Sequence, residues 1–159
     1  MSVAFTREED VEAAAAHLPD RPISPHPNLV TAKGLAELDK ALAAARDAYA
    51  AAQATGDVQA DRTAMARAAR DLRYYTARRA SARLVETNVG SETVVFGSRV
   101  TLDRGDGRRQ TFRIVGEDEA DAAGGSVSYV SPLAGALIGK VASDTGTLSG
   151  AEVQVIAVD

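Results

Sequence analysis

The chain has 159 residues, 45% of them apolar and 4% aromatic, with a net charge of −4 and no cysteine. That length allows one or two small domains with cores built mainly from Ala, Val, Leu and Ile. The absence of cysteine excludes a disulfide framework, a thiolate metal site and a cysteine nucleophile. No apolar run approaches the roughly 20 residues of a membrane span, and the acidic N-terminus is unlike a signal peptide. The expectation is a cytoplasmic protein with no membrane partner.

Thr6-Arg7-Glu8-Glu9 has the form of a capping box, and a short helix to about His17 is expected after it. Between Leu18 and Pro27 four prolines remove donors and push the residues before them toward extended geometry. Residues 1–26 therefore read as an N-terminal extension with a Pro-rich linker. The two histidines, His17 and His26, have no carboxylate or cysteine cluster beside them and make a poor metal site.

Residues 27–87 read as an antiparallel helical hairpin. In the first arm Leu35, Leu38, Leu42, Ala45, Tyr49 and Ala52 recur at steps of three and four, the spacing of one coiled-coil seam. Good helix formers fill the positions between them. The second arm, roughly Arg62 to Leu84, offers Met65, Ala68 or Ala69, Leu72, Tyr75 and Ala82, with Arg79 expected to interrupt the seam. Gly56-Asp57-Val58-Gln59-Ala60-Asp61 forms the tip and is expected to be the most exposed part. Such a hairpin is either a probe that carries its tip into a partner or an ordinary two-helix arm packed on its own domain. The second arm carries Arg62, Arg67, Arg70, Arg73, Arg78, Arg79 and Arg83 against a single acid, Asp71. A basic helix in an acidic chain is a solvated face, or it contacts nucleic acid or an acidic protein.

From about Ser91 the texture turns to alternating Val, Thr and Gly. Strands are expected at Thr93–Phe96, Arg99–Asp103, Arg109–Val115, Ser126–Val130 and Glu152–Val158, with turns at Gly105-Asp106-Gly107 and Ser149-Gly150. Glu117 to Asp121 is an acidic loop without the ligand pattern of a calcium site. Ser131 can cap a short helix that has Pro132 at its first position and Gly139 closing it. The fold class expected is α+β, the hairpin followed by an antiparallel sheet with one short helix over residues 88–159.

Val95-Phe96-Gly97-Ser98-Arg99-Val100-Thr101, then Phe112 to Asp121, then Ser131-Pro132-Leu133-Ala134 with Leu137-Ile138-Gly139-Lys140, resemble the C-terminal domain of the bacterial Gre transcript-cleavage factors. The resemblance runs from about Pro27 to the end and includes Thr31-Ala32-Lys33-Gly34-Leu35. It implies an FKBP-like C-terminal domain that docks on the RNA polymerase core, with Ser131, Pro132 and Leu133 as docking residues. It also implies a coiled coil that enters the secondary channel. There Asp57, with Asp61, would assist in trans at a magnesium ion shared with the polymerase active site, close to the nascent RNA 3′ end. Arg62, Arg67, Arg70 and Arg73 would contact nucleic acid or the partner. The factor itself would be no enzyme, would bind no cofactor alone, and would act as a monomer.

The sequence departs from the family at the tip. The family reads Gly-Asp-Leu-Lys-Glu-Asn, whereas this chain keeps Asp57, has Ala60 in place of the second acid, and carries Asp61 one position later. Three functions stay open: a regulator of elongation that stimulates cleavage, a channel-occluding inhibitor without that activity, and a non-polymerase module that binds RNA or protein. No Ser-His-Asp set or phosphate-cradling Gly loop supports an autonomous hydrolase, and too few aromatics are present for a prolyl-isomerase pocket.

Overall fold

The structure, a computed structural model, describes residues 18–54, 58–88 and 90–159. The capping box at Thr6 and the Gly56-Asp57 pair lie outside the described residues. Two compact units are present. One takes in the described residues up to Pro25 together with Leu38–Ser81, and the other His26–Glu37 together with Ala82–Asp159.

Two helices dominate the first unit, α1 (Ala32–Ala54, whose first turns belong to the second unit) and α2 (Val58–Ser81). The seam expected in α1 is the side that is covered: Leu38, Leu42, Ala45 and Ala52 are buried and Tyr49 is half-buried. Asp39, near the start of α1, accepts from Nε of Arg79, near the end of α2, so the two arms run antiparallel. That pairing corrects the expected seam. Arg79 lies on a surface ion pair and does not interrupt the seam, whereas its neighbour Arg78 is 2% exposed.

Helix α2 also starts earlier than expected, at Val58 instead of Arg62, because nothing between Val58 and Asp61 breaks a helix. It ends at Ser81, short of Leu84, because Arg83 and Leu84 leave to form a strand. The linker seats on α2. Asp20 pairs with Arg73 at 2.6 Å and Arg21 with Asp71 at 3.2 Å, and the Arg21 guanidinium lies 3.8 Å from the centre of the Tyr74 ring. A hydrogen bond to Tyr75 is the main influence holding the Arg21 pKa above its ordinary value; partial burial opposes it and Asp71 adds to it.

The second unit is built on a five-stranded sheet. Its strands are β3 (Arg99–Asp103), β4 (Arg109–Val115), β5 (Ser126–Ser128), β6 (Thr145–Leu148) and β7 (Ala151–Val158), in the order β5-β4-β3-β7-β6. Alternation puts Val100, Leu102, Ile114, Val153 and Val155 into the core, where Val94, Leu133, Ala134 and Leu137 meet them. The short helix α3 (Pro132–Leu137) supplies the last three. A separate two-stranded parallel ladder joins β1 (Leu29–Val30) to β2 (Arg83–Leu84).

The α+β class holds, with three corrections to the strands. The sheet is not wholly antiparallel, because β4 and β5 pair in parallel: the loop between them carries the chain back to start β5 beside Arg113. Thr93–Phe96 makes only an isolated bridge to Val141, because Ser98 Oγ takes the amide of Val95 and Gly97, at φ 88°, turns the chain away. The strand expected over Ser126–Val130 stops at Ser128. Strand β6, absent from the sequence reading, is the other half of a hairpin whose two-residue turn, Ser149-Gly150, has positive φ at both positions.

Candidate functional site

Helix α3 is fixed at both ends by local chemistry. Ser131 is its N-cap and its hydroxyl accepts from the amide of Ala134 at 3.2 Å, while Pro132 occupies the first turn, where a missing N–H costs nothing. At the other end Gly139 adopts φ 87° and its amide bonds to Val94, which stops the helix against the core. Leucines 133 and 137 and Ala134 are buried, and Pro132, Gly135 and Ile138 share the opposite side at steps of three. Ile138 is 43% exposed, one of the few large apolar side chains left in solvent, and a Cβ at Gly135 would meet open space.

The expected docking residues therefore divide. Pro132 faces solvent and Ser131 sets the cap, whereas Leu133, at 8% exposure, is a core residue that holds the helix down. Sequence reasoning missed Ile138, although its spacing from Pro132 could have revealed it. Replacing Ser131 with Ala is expected to cost about 1 kcal/mol, read as a lower thermal midpoint.

The Thr31-to-Gly34 stretch is a joint within the same unit. Thr31 caps α1, its hydroxyl accepting from the amide of Gly34 at 3.0 Å and donating to Glu119 Oε2 at 2.6 Å. Glu119 thus leaves the acidic loop to lie over the start of a helix, where negative charge is favoured. A Cβ at Gly34 would stand 2.5 Å from that same oxygen, so the glycine makes room for the carboxylate. Gly116 makes a second close approach: a Cβ there would lie 2.3 Å from the Leu29 carbonyl oxygen. Tyr129 donates its hydroxyl to the Pro27 carbonyl and ties down the same strand. Thr31→Val removes both the cap and the donor to Glu119, and a loss of about 1–2 kcal/mol is expected in a denaturant melt.

The basic residues of α2 are less free than the sequence implied. Arg73 is taken by Asp20, and Arg70 is half-buried with its Nε making no hydrogen bond; Arg62 and Arg67 are exposed. Asp61 falls in the first turn of α2, and Asp57 lies outside the described residues. The structure thus gathers Ser131, Pro132 and Leu133 at one place and tests nothing at the tip. Among the described residues no group of three or more His, Asp or Glu is placed to hold a metal ion, and no helix is long and apolar enough to cross a membrane.

This unit is also where the chain matches a known family. Residues 89–159 match the family described as "Transcription elongation factor, GreA/GreB, C-term". The likeness to this family lies in the C-terminal region of the chain. Among curated relatives, transcription elongation factor GreB of Neisseria meningitidis serogroup A is 38% identical over 96 residues, which is 57% of this chain and 59% of that protein. Transcription elongation factor GreA of Rhodopseudomonas palustris is 44% identical over 72 residues, 45% of this chain and 41% of the relative. The chain thus spans about half the length of these relatives. Among solved structures, the GreA factor homolog 1 of Thermus thermophilus aligns at a TM-score of 0.40 with 21% identity, over 84% of this chain and 99% of that one. Within the matched region, the Ser131–Lys140 segment is the capped helix with the exposed apolar strip.

Proposed function

We propose that the chain is an RNA polymerase-binding regulator of transcription elongation that works through the enzyme's secondary channel. The observation that carries this reading is the Gre match over residues 89–159, within which α3 presents Pro132, Gly135 and Ile138 to solvent on a rigid support. A rigid apolar strip loses little side-chain freedom on binding, which favours it as a docking face. On this reading the C-terminal unit docks through Ser131 and Pro132 with Leu133 beneath them. The paired helices carry the tip into the channel as a monomeric probe. Asp57 helps hold a magnesium ion at the polymerase's own active site, close to the nascent RNA 3′ end, while Asp61 lies one position beyond the family's second acid. Two-metal hydrolysis needs oxygen ligands there, and magnesium recruits only one or two carboxylates. The polymerase remains the enzyme.

The test is binding of the purified chain to core polymerase. Micromolar binding is expected, and Ile138→Asp should weaken it about tenfold or more, since a charge is driven into an apolar contact. The melting temperature should stay within a few degrees, because Ile138 is exposed. Absence of binding by the parent chain sinks the proposal. A second reading, a regulator that occupies the channel without promoting cleavage, is favoured by Ala60 in place of the second tip acid. An RNA-binding module built on α2 is disfavoured, because Arg73 and Arg79 are engaged in ion pairs within the chain.

A further inference from the structure

We propose that the C-terminal unit carries a separate contact surface: a basic cleft on the exposed side of β3 and β4 that seats a short acidic peptide segment of a protein partner. This inference stands independently of the polymerase reading. The cleft has a volume of about 350 Å3, and Lys33, Arg99 and Arg113 line it together with Glu119 and the Gly124-Gly125 turn. Arg99 and Arg113 are direct cross-strand partners. Like charges at opposed positions destabilise a sheet, so folding gains nothing from this pair, and an anion seated between the two guanidinium groups would relieve their repulsion. Among the described residues neither guanidinium is engaged in an ion pair, and both residues are exposed. The one carboxylate in the lining, Glu119, is already bonded to Thr31, and Lys33 makes only a loose 3.6 Å pair with Glu37.

Two features favour a short acidic peptide over a nucleic-acid strand. No aromatic ring lines the cleft, so bases would find no stacking platform. One or two carboxylates need only the space between Arg99 and Arg113, and a guanidinium can grip a carboxylate through two parallel hydrogen bonds.

The experiment is a titration of the full-length, 15N-labelled chain with a hexaglutamate peptide, a hexaglutamine peptide and a single-stranded RNA oligonucleotide. The expected result is that hexaglutamate alone shifts the amides of Arg99, Arg113, Gly124 and Gly125. The shifts should weaken as salt rises, because exposed charges are screened. In the Arg99→Glu, Arg113→Glu variant the apparent affinity should fall about tenfold or more. Arg113→Gln keeps the fold in view: it should also weaken the peptide, yet melt no lower than the parent because the cross-strand repulsion is gone. Shifts caused by RNA and not by hexaglutamate, shifts that survive the double reversal, or no shifts at these amides with any ligand would each overturn the proposal.

Discussion

Gly116→Ala is expected to lower the stability of the C-terminal unit by about 3 kcal/mol, the upper end of the usual range for overpacking. The reason is what the new methyl group would meet. It would stand 2.3 Å from the carbonyl oxygen of Leu29, 3.5 Å from that carbonyl carbon and 3.7 Å from Val30 Cα. All three are backbone atoms, so no rotamer change relieves the contact and strand β1 itself has to move. That strand is held by its parallel ladder to β2, by the Tyr129 hydroxyl and by the Thr31 cap that follows it. Gly124→Ala makes the control, because its methyl group would meet the carboxylate end of Asp121 at 2.7 Å, which can swing aside. Gly34→Ala falls between the two, since the oxygen it would strike belongs to a side chain that Thr31 holds in place. Thermal melts followed by circular dichroism should rank them Gly116→Ala, Gly34→Ala, Gly124→Ala. A drop of roughly 10 °C or more is expected for the first, at about 4–8 °C per kcal/mol for a domain of this size. If Gly116→Ala melted with the parent, the close approach of β1 to that loop would be wrong.

These glycines mark the limit of what the sequence alone could show. Local signals are legible: β3 and β4 have the expected ends because alternation runs up to Gly105-Asp106-Gly107, where Asp103 and Asp106 accept amides two residues on. Helix α3 was legible for the same reason, its Ser, Pro and Gly being punctuation with a stereochemical cause. Strand β6 was available from the Ser149-Gly150 turn, which calls for a strand on each side, but Thr145-Gly146-Thr147-Leu148 is short and weakly apolar. The Thr31–Glu119 bond joins residues 88 positions apart, and no periodicity reports such a partner. Arg78 and Arg79 show a further limit. Adjacent positions lie about 100° apart on a helix, and the loose period of α2 could not decide which arginine is covered.

Asp57→Ala is expected to abolish any stimulation of RNA cleavage in stalled, backtracked complexes, by about 100-fold or more. Loss of outer-shell partners alone costs roughly 10–100-fold at metal sites, so removing a direct oxygen ligand should cost no less. Binding to the polymerase should be unchanged, because the strip on α3 proposed to dock is untouched. The informative companion is Ala60→Glu, which restores the second acid of the family tip. Helix α2 begins at Val58, so positions 60 and 61 are both helical and differ by about 100° around the axis. A glutamate at position 60 and the aspartate at position 61 would on that geometry leave the helix in different directions, and aspartate is one methylene shorter than glutamate. If the parent is a weak stimulator, Ala60→Glu should raise cleavage about tenfold or more while Asp61→Ala changes it little. If the parent occupies the channel without promoting cleavage, Asp57→Ala has no activity to remove and Ala60→Glu should create some. Equal loss on Asp57→Ala and Asp61→Ala would mean that the two aspartates act together, and the directional argument from the helix start would then fail.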